Sequence, residues 1–221
     1  MIFDWIKNLL AVRYLSFKNG EIRLDKERML FVNLFPLIET FRINKMLGDR
    51  TYPLSLYLAF KQSGYDFTRT HTAKFGKDIN EMAILNANML YTIGWGSFEF
   101  IKTDATKDLT FLMMRSKNSA FADEIKNKYG AQEDPVDYMV CGLFAGALQV
   151  FTKDTINCFE ITCRVQKDCG SCQYVAATDD NIIKYLEGFA DKDISRAKGF
   201  LEEIKNLEGQ LGITYAKTKL Q

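Results

Sequence analysis

The sequence predicts a mixed α/β (α+β) domain in which an antiparallel sheet packs against several helices. Segments of strand length, rich in aromatic and β-branched residues, occur in pairs joined by short polar links. Between and after these pairs lie stretches whose apolar residues recur at helical spacing. The 221 residues contain no internal repeat and no low-complexity linker, so we expect one compact unit with short appendages.

Charge and hydropathy exclude two classes of partner. The 29 basic and 28 acidic residues are interspersed, whereas a nucleic-acid-binding protein usually has a basic patch or stripe. No apolar run reaches the ~18 to 20 residues of a membrane span. The apolar stretch at the N-terminus contains Asp4, Trp5 and Lys7, which is not typical of a signal peptide. We therefore expect a cytoplasmic protein without a membrane span or a nucleic-acid partner.

The N-terminal segments combine helix and hairpin patterns. Residues 1–12 have apolar positions at helical spacing, which predicts a short amphipathic helix. In residues 14–24, Asn19-Gly20 separates two strand-like runs, and this dipeptide is typical of a two-residue hairpin turn. Residues 28–34 form an apolar run before Pro36 that fits either a strand or a helix.

Helical spacing and boundary residues predict the remaining elements. Pro53 suits the first turn of a helix, and Asp78 is a good N-cap. The helices predicted from these signals are 37–47, 53–75, 78–92, 119–129, 135–151, 181–189 and 194–207. The strands are predicted in two pairs, 95–102 with 109–115 and 156–165 with 172–178. Small residues from Gly142 to Ala147 would let another backbone approach the helix opened by Pro135.

All five cysteines lie between positions 141 and 172: Cys141, Cys158, Cys163, Cys169 and Cys172. An odd count without a secretory signal argues against a disulfide framework. The cluster favours reduced thiols that bind a metal or pack in the core.

The order of motifs around these cysteines resembles the 4-vinyl reductase domain. Asp137 precedes a Gly142-Leu-Phe-Ala-Gly146 segment, Glu160-Ile-Thr-Cys163 follows on a strand, and Cys172 opens the next strand. The resemblance is specific over residues 135–178 and agrees in element order over 14–116. We therefore expect a 4-vinyl reductase-like domain at 14–178, with an N-terminal helix at 1–13 and a C-terminal helical extension at 179–221 that lie outside the resemblance. The same domain serves as the sensor of aromatic-responsive transcription regulators, and its fold is related to TRAPP transport-complex subunits.

The resemblance also implies a zinc site. In zinc-carrying members the ligands are a Cys one turn before the GxxxG segment, the Glu and Cys of ExxC, and the Cys that opens the last strand. Glu160, Cys163 and Cys172 match three of these positions, and Asp137 replaces the first Cys. The turn before Cys172 is one residue longer than usual. The fourth ligand is Asp137 or Cys141, with Cys169 as a further thiol in the turn, and a closed set of four would be structural.

One geometric condition attaches to this ligand set. On a regular strand Glu160 and Cys163 would face opposite sides, because successive side chains alternate. Joint ligation of one ion therefore requires a strand end or a bulge between them.

Catalytic residues are not predicted. His71 lies in the polar stretch Thr68–Thr72, and we interpret it as part of a solvated helix face. No Ser/His/Asp or Cys/His arrangement emerges, and no nucleotide-binding fingerprint that would serve a reductase is present.

The aromatic residues predict either an ordinary core or the lining of a small-molecule pocket, since such pockets are mostly apolar. The residues concerned are Trp95, Phe98, Phe100, Phe111, Tyr138 and Phe144.

We therefore expect a ligand-binding or sensor domain for a small hydrophobic molecule, such as a hydrocarbon, with a structural zinc clasp. It would act as a homodimer or pass its signal to a separate output protein. The alternatives are a dimeric scaffold of the TRAPP-subunit type and, with less support, a component of a tetrapyrrole vinyl reductase.

Overall fold

Seven helices and seven strands make up the part of the chain that the structure describes. This computed structural model describes residues 15–18, 21–24, 27–29, 34–75, 79–92, 94–106 and 109–213. The helices are α1 (Leu34–Met46), α2 (Thr51–Phe75), α3 (Ile79–Thr92), α4 (Ala120–Tyr129), α5 (Tyr138–Gln149), α6 (Asp179–Leu186) and α7 (Asp191–Leu211). The strands are β1 (Leu15–Lys18), β2 (Glu21–Leu24), β3 (Glu27–Met29), β4 (Gly96–Thr106), β5 (Leu109–Ser119), β6 (Asn157–Thr162) and β7 (Cys172–Ala177).

The strands form two antiparallel sheets. The smaller has the order β1-β2-β3, and the larger has the order β4-β5-β7-β6. The mixed fold with an antiparallel sheet is thus confirmed. β7 lies between β5 and β6, so the residue that opens β7 is enclosed on both sides.

The N-terminal hairpin is confirmed in its register. Lys18 pairs with Glu21, which leaves the two positions 19 and 20 as the link between β1 and β2. The run at 28–34, which fitted either a strand or a helix, contributes to both. Its first two residues belong to β3, which ends at Met29, and its last residue, Leu34, opens α1, with Pro36 in the first turn. The helix predicted at 1–12 lies outside the described residues.

Several predicted boundaries are wrong. β4 continues to Thr106, because its backbone pairs with β5 through residues 103–106, which we expected to be part of a loop. β5 begins at Leu109 as predicted but continues to Ser119, and β6 ends at Thr162 rather than at 165. The helix expected to open at Pro135 begins at Tyr138. Val136 is 2% exposed, so the residues after Pro135 anchor the loop in the core before the helix starts.

Helices α2 and α5 cross closely, as the small residues of α5 predicted. A Cβ on Gly142 would lie 2.2 Å from the Tyr57 carbonyl oxygen, and one on Gly146 would lie 1.9 Å from that of Lys61. On α2, a Cβ at Gly64 would lie 2.3 Å from the Leu143 carbonyl oxygen. Glycine at these positions is what permits backbone-to-backbone contact.

The hydrophobic core lies between the large sheet and helices α2, α5 and α7. Nearly every side of α5 is buried. Helix α7 contributes Ala197, Phe200, Leu201 and Ile204 to the same core. The segment that the resemblance places in a C-terminal extension therefore shares its core with the rest of the domain. Among the described helices, none is both long and apolar enough to cross a membrane.

A buried polar network joins α2 to β6 and α7. The Lys61 side chain is fully buried, and its Nζ donates to Asn157 Oδ1 at 2.9 Å and to Glu208 Oε1 at 2.8 Å. Tyr57 Oη donates to the same Asn157 oxygen at 3.0 Å. Because a buried ammonium is costly without such partners, this network fixes how α7 lies on α2.

We predict that Gly146→Ala destabilises the fold strongly. The new Cβ would meet backbone atoms of α2, which cannot move aside as the end of a side chain can. The expected loss in free energy of unfolding is about 3 kcal/mol or more, measured by urea denaturation. The matched control is Gly209→Ala in α7, where a Cβ has no neighbour within 4 Å. Helix propensity alone should make that variant about 1 kcal/mol more stable. Equal effects of the two substitutions would contradict the close α2–α5 contact.

Candidate metal centre and adjoining cavity

Four metal-ligating side chains meet in the core. Asp137, Glu160, Cys163 and Cys172 are all buried, and each offers one ligand atom within 4.8 Å of the other three. The cluster contains two oxygen and two sulfur donors, a set suited to zinc.

Each ligand comes from the end or the edge of a secondary-structure element. Asp137 is the N-cap of α5, yet its side chain makes no capping hydrogen bond. Its backbone N–H donates instead to Glu160 Oε2 at 2.9 Å. Cys172 is the first residue of β7, between β5 and β6. The cluster thus joins the start of α5 to the two strands that follow it.

A bulge in β6 places Glu160 and Cys163 on the same site. The register of β6 against β7 shifts between Glu160 and Thr162, and the strand ends at Thr162. The geometric condition for joint ligation, a bulge or a strand end between the two residues, is confirmed. The extra residue changes the alternation of side chains, so two positions that would diverge on a regular strand converge.

The turn after Cys163 is held by α4. Lys126 Nζ donates to the carbonyl oxygens of Arg164 and Gln166 at 2.6 and 3.1 Å. Arg164 pairs with Asp123 at 2.6 Å, and its backbone N–H donates to Cys172 Sγ at 3.3 Å. These contacts fix the spacing of the two thiols independently of any metal.

The two carboxyl groups are only half satisfied by protein partners. Tyr174 Oη donates to Asp137 Oδ2 at 2.7 Å. Asp137 Oδ1 and Glu160 Oε1 are buried without a hydrogen-bond partner among the described residues. Burial raises the pKa of both groups, that of Glu160 to about 8, where the neighbouring Asp137 adds to the effect. Two buried carboxyl oxygens without partners in one cluster favour a cation beside them.

The two thiols stand at the separation that a zinc ion requires. Cys163 Sγ and Cys172 Sγ are 3.8 Å apart. Zn–S bonds of about 2.3 Å at a tetrahedral angle place two sulfurs about 3.8 Å apart. Their hydrogen bond lowers the pKa of Cys172, but burial and the nearby carboxyl groups outweigh it and bring that pKa to about 11. Burial also raises the pKa of Cys163. Without a cation both thiols are protonated at neutral pH.

The donor set fits zinc in its chemistry and its spacing. Two thiolates and two carboxylate oxygens complete a tetrahedral shell, and a closed shell of four protein ligands is typical of structural zinc. In such a shell the ion supplies positive charge and a cross-link, and Asp137, Glu160, Cys163 and Cys172 would hold it.

The remaining cysteines lie outside this cluster. Cys141, the alternative fourth ligand, is buried one turn further along α5 and interacts with Cys158. Cys169 is half-buried, and its Sγ donates to the Ser171 carbonyl oxygen at 3.1 Å. All five cysteines are free thiols. The structure therefore brings Asp137, and neither Cys141 nor Cys169, to the other three predicted ligands.

A cavity of about 560 Å³ adjoins the metal cluster. Its wall comes from α1, the loop between α1 and α2, the start of α5, β6 and α7. Glu160 belongs both to the cluster and to the wall, and Val136 and Tyr138, on either side of Asp137, also line the cavity. The cluster thus meets the cavity through Glu160, the one member of the four that lines it.

Of the six aromatic residues predicted to line a pocket, the cavity includes Tyr138. The others pack elsewhere. Phe98 contacts Phe144 at a centroid distance of 5.3 Å, Phe111 contacts Tyr185 at 5.3 Å and Trp95 contacts Phe60 at 5.3 Å. Phe100 is half-buried against the same core. These five residues do not line this cavity.

The interpretation of His71 as a solvated residue is wrong. His71 is 4% exposed, its ring stacks on Phe67 at 4.0 Å, and its Nδ1 is 2.8 Å from the Phe67 carbonyl oxygen. The polar residues next to His71 in the sequence suggested that it is exposed to solvent, but α2 is covered by other residues on this side as well. His71 lies outside both the metal cluster and the cavity wall.

Several cavity residues escaped prediction because they come from distant parts of the sequence. They include Phe41, Lys45, Arg50, Phe159, Arg196 and Phe200. Phe159 directly precedes the Glu of the ExxC motif, and this position offered a signal. Arg196 and Phe200 lie in the predicted C-terminal extension, outside the resemblance, where no motif pointed to a site.

Comparison with known proteins supports the fold. No protein-family model matches the sequence, and no curated protein sequence does. Among solved structures, the phenol-responsive sensory domain of the transcription activator PoxR, solved with phenol, is similar with a TM-score of 0.69 at 17% identity. The match covers 80% of this chain and 90% of that domain. At this identity the likeness concerns the fold, which is the one that the resemblance predicted.

Two further structures match less well. A vinyl-4-reductase family protein from Methanocaldococcus jannaschii has a TM-score of 0.42 at 19% identity, over 80% of this chain and 94% of that one. A trafficking protein particle complex subunit 3 from Naegleria fowleri, covalently bound to palmitic acid, has a TM-score of 0.35 at 13% identity. That match covers 78% of this chain and 95% of the other.

We predict that metal-free protein loses thermal stability as the pH rises from 5 to 8. The pKa of Glu160 is 4.5 in an unfolded chain and about 8 in the fold, so the fold retains its proton over a range where the unfolded chain loses it. The stability that this proton contributes is complete below about pH 4.5 and is lost as the pH rises through the folded value. Melting temperatures of chelator-treated wild type and Glu160→Gln, measured across this range, test it.

The Glu160→Gln variant should show a much weaker fall, because it carries no ionisable group at this position. Added zinc should reverse the trend in the wild type, since thiolate ligands bind metal better as the pH rises. A wild type and a variant with the same pH profile in the absence of metal would show that Glu160 is not the titrating group.

Proposed function

We propose that this protein is a small-molecule-binding sensory domain whose binding cavity is braced by a structural zinc ion. The observation that carries the proposal is the cavity of about 560 Å³, which adjoins the Asp137–Glu160–Cys163–Cys172 cluster. Known ligand pockets have volumes of about 300–1,000 Å³ and mostly apolar walls with a few polar groups.

The fold adds support from an independent direction. The PoxR domain with which this chain shares its fold is described as phenol-responsive and was solved with phenol. Likeness of fold does not by itself carry function across, so the proposal depends on the cavity of this chain.

The zinc ion would serve the cavity by fixing one wall. Val136 and Tyr138 border the ligand Asp137, and Phe159 borders the ligand Glu160. An ion that joins the start of α5 to β6 and β7 would hold these side chains in place without taking part in chemistry. Reduced thiols suit the cytoplasm, where disulfides are rare.

Signal output belongs to the proposal as well. Helix α7 forms one wall of the cavity through Ser195, Arg196, Gly199 and Phe200. A ligand that contacts this helix can alter how it lies on β6 and α2, and a separate output protein or a second copy of the chain would sense the change. The homodimeric scaffold and the tetrapyrrole vinyl reductase remain the alternatives predicted from the sequence.

We predict that Gly199→Trp abolishes small-molecule binding. Gly199 lines the cavity from α7, and a Cβ there has no neighbour within 4 Å, so the indole can occupy the free space. Binding of phenol, 2-naphthol and 2-naphthoate is measured by equilibrium dialysis, together with native mass spectrometry for a molecule retained from the cell. Wild type should bind at least one compound, and Gly199→Trp should bind each at least ~10-fold more weakly.

Gly209→Trp is the matched control. It adds the same side chain to the same helix at an open position outside the cavity wall. This variant should bind like the wild type. If the wild type binds none of the compounds and retains no molecule, or if both variants lose binding equally, the proposed function is wrong.

A further inference from the structure

The inner part of the cavity offers flat apolar surfaces. Phe41, Tyr138, Phe159 and Phe200 line it, with Tyr138 at centroid distances of 6.3 Å from Phe41 and 6.1 Å from Phe200. The ring centroids of Phe159 and Phe200 are 5.9 Å apart, and the Arg196 guanidinium lies over the Phe159 ring, 5.0 Å from its centroid. Aromatic walls of this kind suit a planar aromatic guest, which can stack or meet ring edges.

The size of the cavity points to more than one ring. A cavity of ~150 Å³ already holds benzene. At about 560 Å³, this cavity has room for a guest of two or three rings together with a polar substituent.

The exposed mouth of the cavity carries two cations beside two acidic residues, Asp49 and Asp134. Lys45 and Arg50 are exposed residues at either end of the link between α1 and α2, and both line the cavity. Arg50 pairs with Glu203 through Nη1 at 3.0 Å, and its side chain is 69% exposed. This contact occupies one of the five N–H donors of the guanidinium, so the group retains donors for a guest.

Three acidic residues belong to the same wall. Glu160 belongs to the metal cluster, and Asp49 Oδ1 accepts the Thr51 N–H at 2.7 Å. Asp134 lies on an exposed loop. The third cation of the wall, Arg196, donates to the carbonyl oxygens of Glu160 and Ile161 at 3.2 and 2.7 Å and pairs with Asp193 at 3.6 Å.

Tyr138 is the aromatic residue of the wall that carries a hydroxyl, and it lines the same cavity as Arg50. The hydroxyl makes no hydrogen bond to another described residue. A hydroxyl and a guanidinium that line one cavity can both donate to the same anionic group.

We propose that the cavity selects aromatic carboxylates, with the ring system between the aromatic walls and the carboxylate held by Arg50 and the Tyr138 hydroxyl. The proposal rests on the proposed function, because it assigns a ligand class to the same cavity. Lys45 assists by its charge at the mouth. A neutral aromatic compound of the same shape would fill the interior but leave these donors without an acceptor.

The test compares 2-naphthoate, 2-naphthol and naphthalene as probes by fluorescence titration and equilibrium dialysis. Wild type should bind 2-naphthoate at least ~10-fold more tightly than naphthalene, the ratio expected for a charge-assisted hydrogen bond. Arg50→Gln and Tyr138→Phe should each reduce this ratio to about 1–3, because binding of naphthalene should hardly change. Arg69→Gln is the matched control, since Arg69 is also exposed but lies outside the cavity wall.

The outcomes separate this inference from the proposed function. Wild type that binds naphthalene or 2-naphthol as tightly as 2-naphthoate overturns the selectivity and leaves the small-molecule site intact. Equal loss of 2-naphthoate binding in Arg50→Gln and Arg69→Gln also overturns it, since general charge would then be responsible. Wild type that binds none of the three probes overturns both proposals.

Discussion

The structure depends most on the burial of two carboxyl groups beside two thiols. Asp137 and Glu160 each have an oxygen without a hydrogen-bond partner among the described residues, and the two thiols lie 3.8 Å apart next to them. As four neutral acids, these groups would leave polar atoms unsatisfied in the core. As four anions, they would repel one another. A divalent cation would reduce both difficulties, because it would offset half of the negative charge and accept a bond from each group.

Several local features of the chain hold the residues of this cluster in position. The β6 bulge brings Glu160 and Cys163 to one side, and α4 holds the turn before Cys172 through Lys126. The start of α5 is held by the Asp137 N–H, which donates to Glu160. Since Glu160 also lines the cavity, the same contacts determine the shape of the binding site. Fold, metal cluster and cavity are thus different aspects of one arrangement around the α5–β6 junction.

The sequence predicted the parts of this arrangement that depend on residues close to one another in the chain. Asn19-Gly20 marked the hairpin, the glycines of α5 marked a close helix contact, and ExxC with Cys172 marked the cluster. The need for a bulge followed from the alternation of side chains on a strand. The sequence could not decide between Asp137 and Cys141 as the fourth ligand, because the two residues are separated by one helical turn. The decision depends on the position of Glu160 in space, and Asp137 is the residue that lies beside it.

The cavity could not be predicted in the same way. Its wall combines α1, the loop after it, β6 and α7, and no spacing in the sequence connects Arg50 with Phe200. The aromatic residues that the sequence offered instead, such as Phe98 and Phe144, pack against each other in the core. The polar neighbours of His71 in sequence led to the wrong prediction that it is exposed to solvent, whereas its ring is buried against Phe67. In each case tertiary contacts override a local pattern.

The measurement that tests the central claim most directly is the metal content of protein purified without chelator. Elemental mass spectrometry is applied to the wild type, to Cys163→Ser/Cys172→Ser, and to the control Cys141→Ala/Cys158→Ala, whose thiols are equally buried but lie outside the cluster. We expect about one zinc ion per chain in the wild type and in the control, and none in the cluster variant. A wild type without metal, or a cluster variant that retains as much zinc as the control, would contradict the account.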